Sequence, residues 1–209
     1  MENAFNNPGM TVTFDDHIYK YNNGFEDVIK KVSKNYYKFE TDTMEWFVVF
    51  DLHEGIDEQM FTWVNSSLLF EGGKCNTQFL NAFTDNVSDS LKTQAKKMKC
   101  EVTKNDVRRD LLVFGMLKVT QPEYDSQSKT RLTGPDMRLD IKGMLESQWK
   151  SFARASKTWM EDVLKRATDR HHSKADKAAM KDLTKGRRKK VIGLTDATSR
   201  KRYECKLIV

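Results

Sequence analysis

The first forty residues predict a β-hairpin followed by a helix. From Thr11 to Tyr21, short runs of β-forming residues flank a polar DDH turn, and a second polar turn follows at residues 22–24. Apolar residues then recur at helical spacing, with acidic residues early and lysines late, as the helix dipole favours. The apolar positions of this short helix are Phe25, Val28, Ile29 and Val32.

The next segment predicts two strands and a helix. Trp46–Asp51 and Met60–Leu69 are rich in aromatic and β-branched residues, and the polar HEGIDEQ stretch between them predicts a second hairpin. After a break at residues 71–73, apolar residues at helical spacing predict a crossover helix that ends near Cys100. Its apolar positions are Phe79, Phe83, Val87 and Leu91.

The longest periodic signal lies in the second half of the chain. Asn105 and Asp106 are candidate caps of a short helical turn before an apolar strand, Leu111–Val119. Gly134 and Pro135 then precede a helical pattern of apolar residues, which predicts one long amphipathic helix whose stripe is typical of a packing face. The stripe consists of Met137, Ile141, Leu145, Trp149, Phe152, Trp159, Val163 and Ala167.

Composition favours a single domain with an appendage. The 209 residues have a mean hydropathy of −0.69, with 38% hydrophobic and 32% charged residues, so the apolar residues must concentrate in a few segments. No run of about 18 apolar residues could span a bilayer, and the start MENAFNNPGM does not resemble a signal peptide. We therefore expect a cytoplasmic protein with no membrane partner.

Cysteine and histidine give no sign of a metal site. Cys75, Cys100 and Cys205 are odd in number, widely spaced and without a CxxC or Cys/His cluster, which predicts free thiols. His171 and His172 lie in a charged segment without partners at metal-ligand spacing. We predict no metal ligand in this chain.

Four segments, taken in chain order, resemble the ATPase-bearing large subunits of type II DNA topoisomerases, such as gyrase B. They are FNNPGMTVTF with KYNNGFEDVIKKV, FTWVNSSLLFEGGKC, NDVRRDLLVFGMLKVTQPEYDSQSKTRL and GLTDATSRKRYECKLIV. The first resembles the stretch that leaves the ATP-binding (GHKL) domain, and the second a Phe-x-Asn-x-Ile pattern followed by Gly-Gly-x-His. The third resembles an Asp-x-Arg-x-Gly-Leu helix, a strand and a phosphate-sensing loop, and the fourth the lead-in to the TOPRIM domain.

The resemblance covers nearly the whole chain, from about Phe5 to Val209. Its shorter, Lys-rich and eukaryote-like character suggests a bacteriophage-type large subunit, in a phage-infected or bacterial cytoplasm. Ser128 replaces a threonine and keeps the hydroxyl, whereas Cys75 stands where the family usually has histidine, so no role of that histidine carries over. Gly72 and Gly73 lack the Gly-Lys-Ser/Thr continuation of a phosphate-binding loop, which favours a strand-to-helix turn.

The resemblance implies that Gln127 and Lys129 contact the γ-phosphate of ATP, which is held with Mg in a neighbouring ATP-binding domain. A lysine ammonium stabilises charge on the terminal phosphoryl oxygens, and a glutamine amide can orient them. Because hydrolysis would release the loop, Lys129 is expected to act as a sensor more than as a catalyst. Without the resemblance, Lys129 would be one of many solvated lysines in a polar turn.

The net charge of +6 is concentrated late in the chain. Past Arg170 the sequence is polar and basic, and KGRRKK at residues 185–190 has five basic residues out of six. Double-stranded DNA is the polyanion that a topoisomerase would hold there, although composition alone is equally consistent with a flexible basic linker. The candidate DNA-binding residues are Lys185, Arg187, Arg188, Lys189 and Lys190.

The resemblance also implies a domain organisation. Residues 1–41 would end the ATP-binding domain and its connector, 42–135 form the transducer domain, 136–190 the long helix and basic linker, and 191–209 the lead-in and first strand of TOPRIM. Because the apolar strand at 206–209 has no partner in this sequence, we expect more chain after it. The ATP pocket would precede Met1, so no catalytic set is complete and the isolated chain is predicted to be inactive.

We expect an α+β fold. The transducer should contain a mostly antiparallel sheet covered on one face by helices, with the left-handed βαβ crossover that the resemblance implies, followed by a long α-helix and a basic helical segment.

The implied function is that of the transducer region of an ATP-dependent type II DNA topoisomerase large subunit, which relays ATP hydrolysis to DNA strand passage. Its partners would be double-stranded DNA, the ATP-binding and TOPRIM parts of the same subunit, and the DNA-cleaving subunit. A mismatch-repair-type ATPase fragment is one alternative, which the TOPRIM-like residues 193–209 disfavour. A stand-alone basic DNA-binding accessory protein is the other.

Overall fold

The computed structural model describes residues 2–50, 58–133 and 139–186, which fall into two units, Met1–Asp169 and Arg170–Val209. The helices are α1 (Glu2–Asn6), α2 (Glu26–Val32), α3 (Lys74–Lys97), α4 (Lys104–Arg108), α5 (Ile141–Ala155) and α6 (Lys157–Gly186). The strands are β1 (Thr11–Phe14), β2 (His17–Lys20), β3 (Tyr36–Glu40), β4 (Met44–Val49), β5 (Gln59–Val64), β6 (Ser67–Leu68) and β7 (Leu112–Leu117).

The first unit is built on a five-stranded sheet with the order β3-β4-β7-β5-β6. β5 and β7 are parallel neighbours joined in sequence through α3, and all other neighbouring pairs are antiparallel. The predicted α+β fold, with a mostly antiparallel sheet and a βαβ crossover, is therefore confirmed. The left hand of that crossover stays a prediction.

The predicted second hairpin between residues 46–51 and 60–69 is wrong. β4 pairs with β3, which the sequence did not predict, and with β7, while β5 turns back onto β6. The turn between β5 and β6 lies at Asn65 and Ser66, which both have positive φ, the combination that a tight hairpin turn of type I′ requires. β7 enters between β4 and β5 because the crossover through α3 returns the chain to the middle of the sheet.

Side chains of β4 alternate between the two faces of the sheet. Met44, Trp46 and Val48 face a core formed with α3, α5 and α6. Trp46 stacks on Phe79 of α3, with ring centroids 4.3 Å apart. Gly115 of β7 lies opposite Trp46, and a Cβ there would be 2.5 Å from the indole ring, so the flat packing of this ring needs glycine.

The other face of the sheet is covered as well. Phe47 and Val49 pack against α1, α2 and the β1–β2 hairpin in a second core rich in aromatic rings. The hairpin and the helix predicted for residues 11–32 are confirmed. Helices cover one face of the sheet as predicted, and the N-terminal elements, which include α1 and α2, cover the other face.

The predicted long helix is divided at Ser156 into α5 and α6. Ser156 has φ −102° and ψ 21°, outside the range of a regular α-helix, although its backbone N–H still donates to the Phe152 carbonyl oxygen at 2.9 Å. Both helices keep the predicted packing stripe, which includes Leu145, Phe152 and Val163 in the first core. Met137, the first position of the predicted stripe, lies outside the described residues.

Of the two candidate caps of α4, Asp106 is confirmed and Asn105 is not. Thr103, and not Asn105, precedes the helix, and Asp106 Oδ2 accepts hydrogen bonds from the Thr103 backbone N–H and hydroxyl, at 2.8 and 2.7 Å. Asp106 therefore caps α4 from its third position, in a capping box.

The second unit is described as far as Gly186, and residues 170–186 are helical. Among the helices of the described ranges, none is long and apolar enough to cross a membrane.

Candidate functional site

Gln127 and Lys129 lie at the tip of a short hairpin, residues 123–133, that follows β7. The Asp125 N–H donates to the Arg131 carbonyl at 3.1 Å, and the Thr133 N–H donates to the Glu123 carbonyl at 3.0 Å. We call these residues the 123–133 hairpin. It brings the two predicted phosphate-contacting residues together on one turn.

The tip presents both side chains to solvent. Gln127 and Lys129 are exposed, and the Lys129 N–H closes the turn by donating to the Ser126 carbonyl at 3.1 Å. Lys129 has φ +55°, a left-handed conformation that costs a residue with a side chain about 1–2 kcal/mol. Its ammonium lies 5.8 Å from the centroid of the Tyr124 ring.

The returning limb of the hairpin is fixed to the turn before α3. The Glu71 N–H donates to the Thr130 carbonyl at 3.0 Å, and the Leu132 N–H donates to the Gly72 carbonyl at 3.3 Å. Leu132 is only 1% exposed and belongs to the first core. A Cβ on Gly73 would lie 2.8 Å from the Leu132 carbonyl oxygen, so the close approach of the two backbones needs glycine here. The predicted strand-to-helix turn at Gly72 and Gly73 is confirmed.

The outgoing limb is fixed by the turn between β5 and β6. The Asn65 side-chain N–H donates to the Val119 carbonyl at 2.6 Å, and the Val119 N–H donates to Asn65 Oδ1 at 2.9 Å. The Asn65 backbone N–H also donates to the Leu117 carbonyl at 3.0 Å. One continuous segment, residues 65–73, thus holds both ends of the chain that carries Gln127 and Lys129.

Burial raises the pKa of two groups near the hairpin, Tyr124 and Cys75. Burial raises the pKa of the Tyr124 phenol, so the ring below Lys129 stays neutral. Burial also raises the pKa of the Cys75 thiol to about 11, and its Sγ donates to Asn76 Oδ1 at 3.1 Å. Cys75 and Cys100 are free thiols, and within residues 2–50, 58–133 and 139–186 no three His, Cys, Asp or Glu side chains are grouped to hold a metal ion.

The candidate DNA-binding residues fall at the end of the described chain. The backbone of Lys185 belongs to α6, whereas Arg187, Arg188, Lys189 and Lys190 lie outside the described residues. Cys205 and the TOPRIM-like residues 193–209 lie outside them too. The roles expected of these residues stay predictions.

Two sets of contacts around the candidate site were not predicted from the sequence. The first is the set of hydrogen bonds that hold the two limbs of the 123–133 hairpin, from Asn65 on one limb and from Glu71–Gly73 on the other. Asn65 lies inside one of the motifs that carry the resemblance. The second is an ion pair in which Arg166 of α6 lies 3.0 Å from Asp110 and 3.3 Å from the Arg109 carbonyl, at the start of β7. β7 is therefore held at its start by α6 and just beyond its end by Asn65.

Comparison with known proteins gives a consistent match. The family described as DNA gyrase B matches residues 13–183. The DNA gyrase B protein of Mycobacterium tuberculosis is 25% identical over 167 residues, which cover 78% of this chain and 24% of that protein. The chain therefore spans about a quarter of the length of this curated relative.

Solved structures share the fold. The 43K ATPase domain of Thermus thermophilus gyrase B superposes with a TM-score of 0.60 at 18% identity, over 85% of this chain and 54% of that one. The ATPase and transducer domains of DNA topoisomerase II from Balamuthia mandrillaris superpose with a TM-score of 0.57 at 21% identity, over 86% of this chain and 43% of that one.

Proposed function

The chain belongs to the DNA gyrase B family, and we propose that it is the transducer region of an ATP-dependent type II DNA topoisomerase large subunit. The observation that carries this proposal is the 123–133 hairpin, which presents an amide and an ammonium at one exposed tip while residues 65–73 hold both of its limbs. A rigidly mounted polar tip suits contact with a group outside this chain.

Gln127 and Lys129 suit the terminal phosphate of ATP. The Lys129 ammonium would stabilise negative charge on phosphoryl oxygens, and the Gln127 amide would donate a hydrogen bond that orients them. ATP, bound with Mg by an ATP-binding domain, supplies the charge that the tip recognises. Since the contact is lost when the γ-phosphate leaves, the tip reports hydrolysis to the sheet behind it.

The relay would run along β7 to the helices. Displacement of the hairpin would move Val119, which lies just beyond the end of β7. At the other end of the strand, Arg166 of α6 forms an ion pair with Asp110, just before β7 begins. Movement of the tip can thus reach α6 through one strand. We propose that this route couples ATP hydrolysis to DNA strand passage.

We propose that residues 42–135 form the transducer domain and that the TOPRIM domain begins within residues 191–209. Residues 1–41 would end the ATP-binding domain, and residues 136–190 would form the long helix and basic linker. The five-stranded sheet also includes β3, whose residues pair with β4 across the boundary at 42. The ATP-binding and TOPRIM parts of the subunit, the DNA-cleaving subunit and double-stranded DNA are the proposed partners, and we expect no ATP turnover by the isolated chain.

The basic residues 185–190 are proposed to contact DNA phosphates. Replacement of their five basic side chains by glutamine should lower the affinity for duplex DNA and flatten its dependence on salt, by up to about 4 units in the slope of log K against log salt. Equal affinity and slope in the two proteins would dismiss this contact.

Family membership favours this function over the two alternatives. A mismatch-repair-type ATPase shares the expectation of a lysine at the nucleotide, but the match is to DNA gyrase B over residues 13–183. In a stand-alone DNA-binding protein, there would be no reason to hold both limbs of the 123–133 hairpin and expose Gln127 and Lys129 at its tip.

The proposal is tested by ATP hydrolysis in the large subunit reconstituted with its ATP-binding domain. Lys129→Ala should lower the rate by about tenfold or more, because a positioned charge at the phosphate is lost. Arg131→Ala is the matched control, since it removes an exposed cation two residues away in the same hairpin. Equal rates for Lys129→Ala and the unmodified protein would remove Lys129 from the mechanism.

A further inference from the structure

Asn65 joins two parts of the chain that are 54 residues apart. Its side-chain amide donates to the Val119 carbonyl at 2.6 Å and accepts from the Val119 N–H at 2.9 Å. The amide therefore pairs with Val119 as a neighbouring strand would, and it extends the ladder of β7 beyond Leu117.

This contact stands at the base of the 123–133 hairpin. The returning limb is held independently, by the hydrogen bonds from Glu71 and to Gly72. If Val119 were released, the hairpin would keep one anchor and could pivot about it. The direction of the tip, and with it the position of Lys129, depends on the outgoing limb being fixed too.

The chemistry of the position suits asparagine. Asn65 has φ +47°, which asparagine tolerates better than most residues. Only an amide offers a donor and an acceptor side by side for the two backbone groups of Val119. Aspartate would accept from the N–H but repel the carbonyl oxygen, and glycine would keep the turn but make neither bond.

We propose that Asn65 is a positioning residue for the γ-phosphate contact, acting through Val119 on Lys129. This inference rests on the proposed function of Lys129. Asn65 itself lies on a different turn and touches the backbone of Val119, so its effect on the nucleotide is indirect.

The first test uses ATP hydrolysis by the reconstituted large subunit. Asn65→Gly should lower kcat about tenfold, because small misplacement of a contacting group is costly, while KM for ATP changes little. Asn65→Asp, which keeps one hydrogen bond, should lie between glycine and the unmodified protein. Ser66→Gly is the matched control, since it relaxes the other positive-φ residue of the same turn without removing a bond to Val119.

The second test separates positioning from a general loss of stability. In the double variant Asn65→Gly with Lys129→Ala, kcat should equal that of Lys129→Ala alone, because Asn65 acts only through Lys129. Losses that multiply in the double variant would overturn the inference, as would Asn65→Gly and Asn65→Asp with unchanged kcat. If Asn65→Gly fails to fold, Asn65→Asp takes its place. The kcat of the double variant Asn65→Asp with Lys129→Ala is then compared with that of Lys129→Ala alone.

These results are distinguishable from failure of the proposed function. Lys129→Ala with full activity would refute both the proposed function and the role of Asn65. A slow Lys129→Ala beside a fully active Asn65→Gly would refute the role of Asn65 alone.

Discussion

The close approach between Gly73 and Leu132 predicts that Gly73→Ala loosens the 123–133 hairpin. A Cβ at position 73 would lie 2.8 Å from the Leu132 carbonyl oxygen and 3.2 Å from the Leu132 N and Cβ atoms. The φ of Gly73 is +161°, which alanine can adopt, so the perturbation is steric and confined to the contact with the returning limb.

The cost follows from the bonds that the limb would lose. The Leu132 oxygen must retreat to at least 3.4 Å for ordinary contact, and the bonds from Glu71 to Thr130 and from Leu132 to Gly72, now 3.0 and 3.3 Å, lengthen with it. Two weakened backbone bonds cost about 1 kcal/mol each, and the stiffer unfolded chain offsets about 0.4–1 kcal/mol. We expect a net loss of about 1–2 kcal/mol, a fall in Tm of about 2–8 °C.

Limited proteolysis reports the same change locally. Trypsin cleaves after Lys129 and Arg131, both inside the hairpin, and cleavage there should rise about tenfold in Gly73→Ala because the open state is more populated. Lys74→Ala is the matched control, since Lys74 is exposed and is the next residue along the chain. An unchanged Tm together with unchanged cleavage would show that the hairpin is not held by this contact.

Three further predictions concern strain, thiols and acid. Lys129→Gly should raise the free energy of unfolding by about 0.5–1 kcal/mol in urea titrations, because glycine relieves the left-handed strain, while ATP hydrolysis falls; a destabilised variant would contradict this. Iodoacetamide should modify Cys100 in the native chain but Cys75 only after unfolding, because burial raises the Cys75 pKa to about 11; equal labelling by mass spectrometry would refute it. Hydrogen bonds from Asn23 lower the pKa of Asp27. The free energy of unfolding of the unmodified chain should therefore exceed that of Asp27→Asn by a full difference above about pH 4. That difference should shrink as pH falls through the lowered pKa of Asp27, and a difference that stays constant with pH would contradict this.

Local patterns in the sequence predicted the elements whose residues signal their own structure. The first hairpin carries polar turn residues between β-formers, and α3 carries a clean apolar stripe, so both were predictable from short windows. Strand β3 was not predicted, although its YYKFE segment is rich in aromatic residues, because five residues are too few for the pattern to stand out. The division at Ser156 was hidden as well, since the apolar stripe continues past it.

Strand pairing could not be read from neighbouring residues. β7 lies between β4 and β5, which are closer in sequence to each other than to it, and only the packing of α3 on the sheet decides this order. The candidate site shows the same limit. The resemblance predicts phosphate contacts for Gln127 and Lys129. The hydrogen bonds that hold their hairpin, from Asn65 and from Glu71–Gly73, join segments more than fifty residues apart and could not be predicted from local patterns.

Nucleotide-dependent labelling of the Lys129 amine tests the proposed contact with the γ-phosphate most directly. The reconstituted large subunit would be acetylated briefly in the presence of either a non-hydrolysable ATP analogue or ADP. The extent of modification of each lysine would then be measured by mass spectrometry. Lys92, an exposed residue of α3, is the internal control. We predict that labelling of Lys129 falls about tenfold with the analogue relative to ADP while Lys92 is unchanged. Equal labelling of Lys129 with both nucleotides would contradict the account.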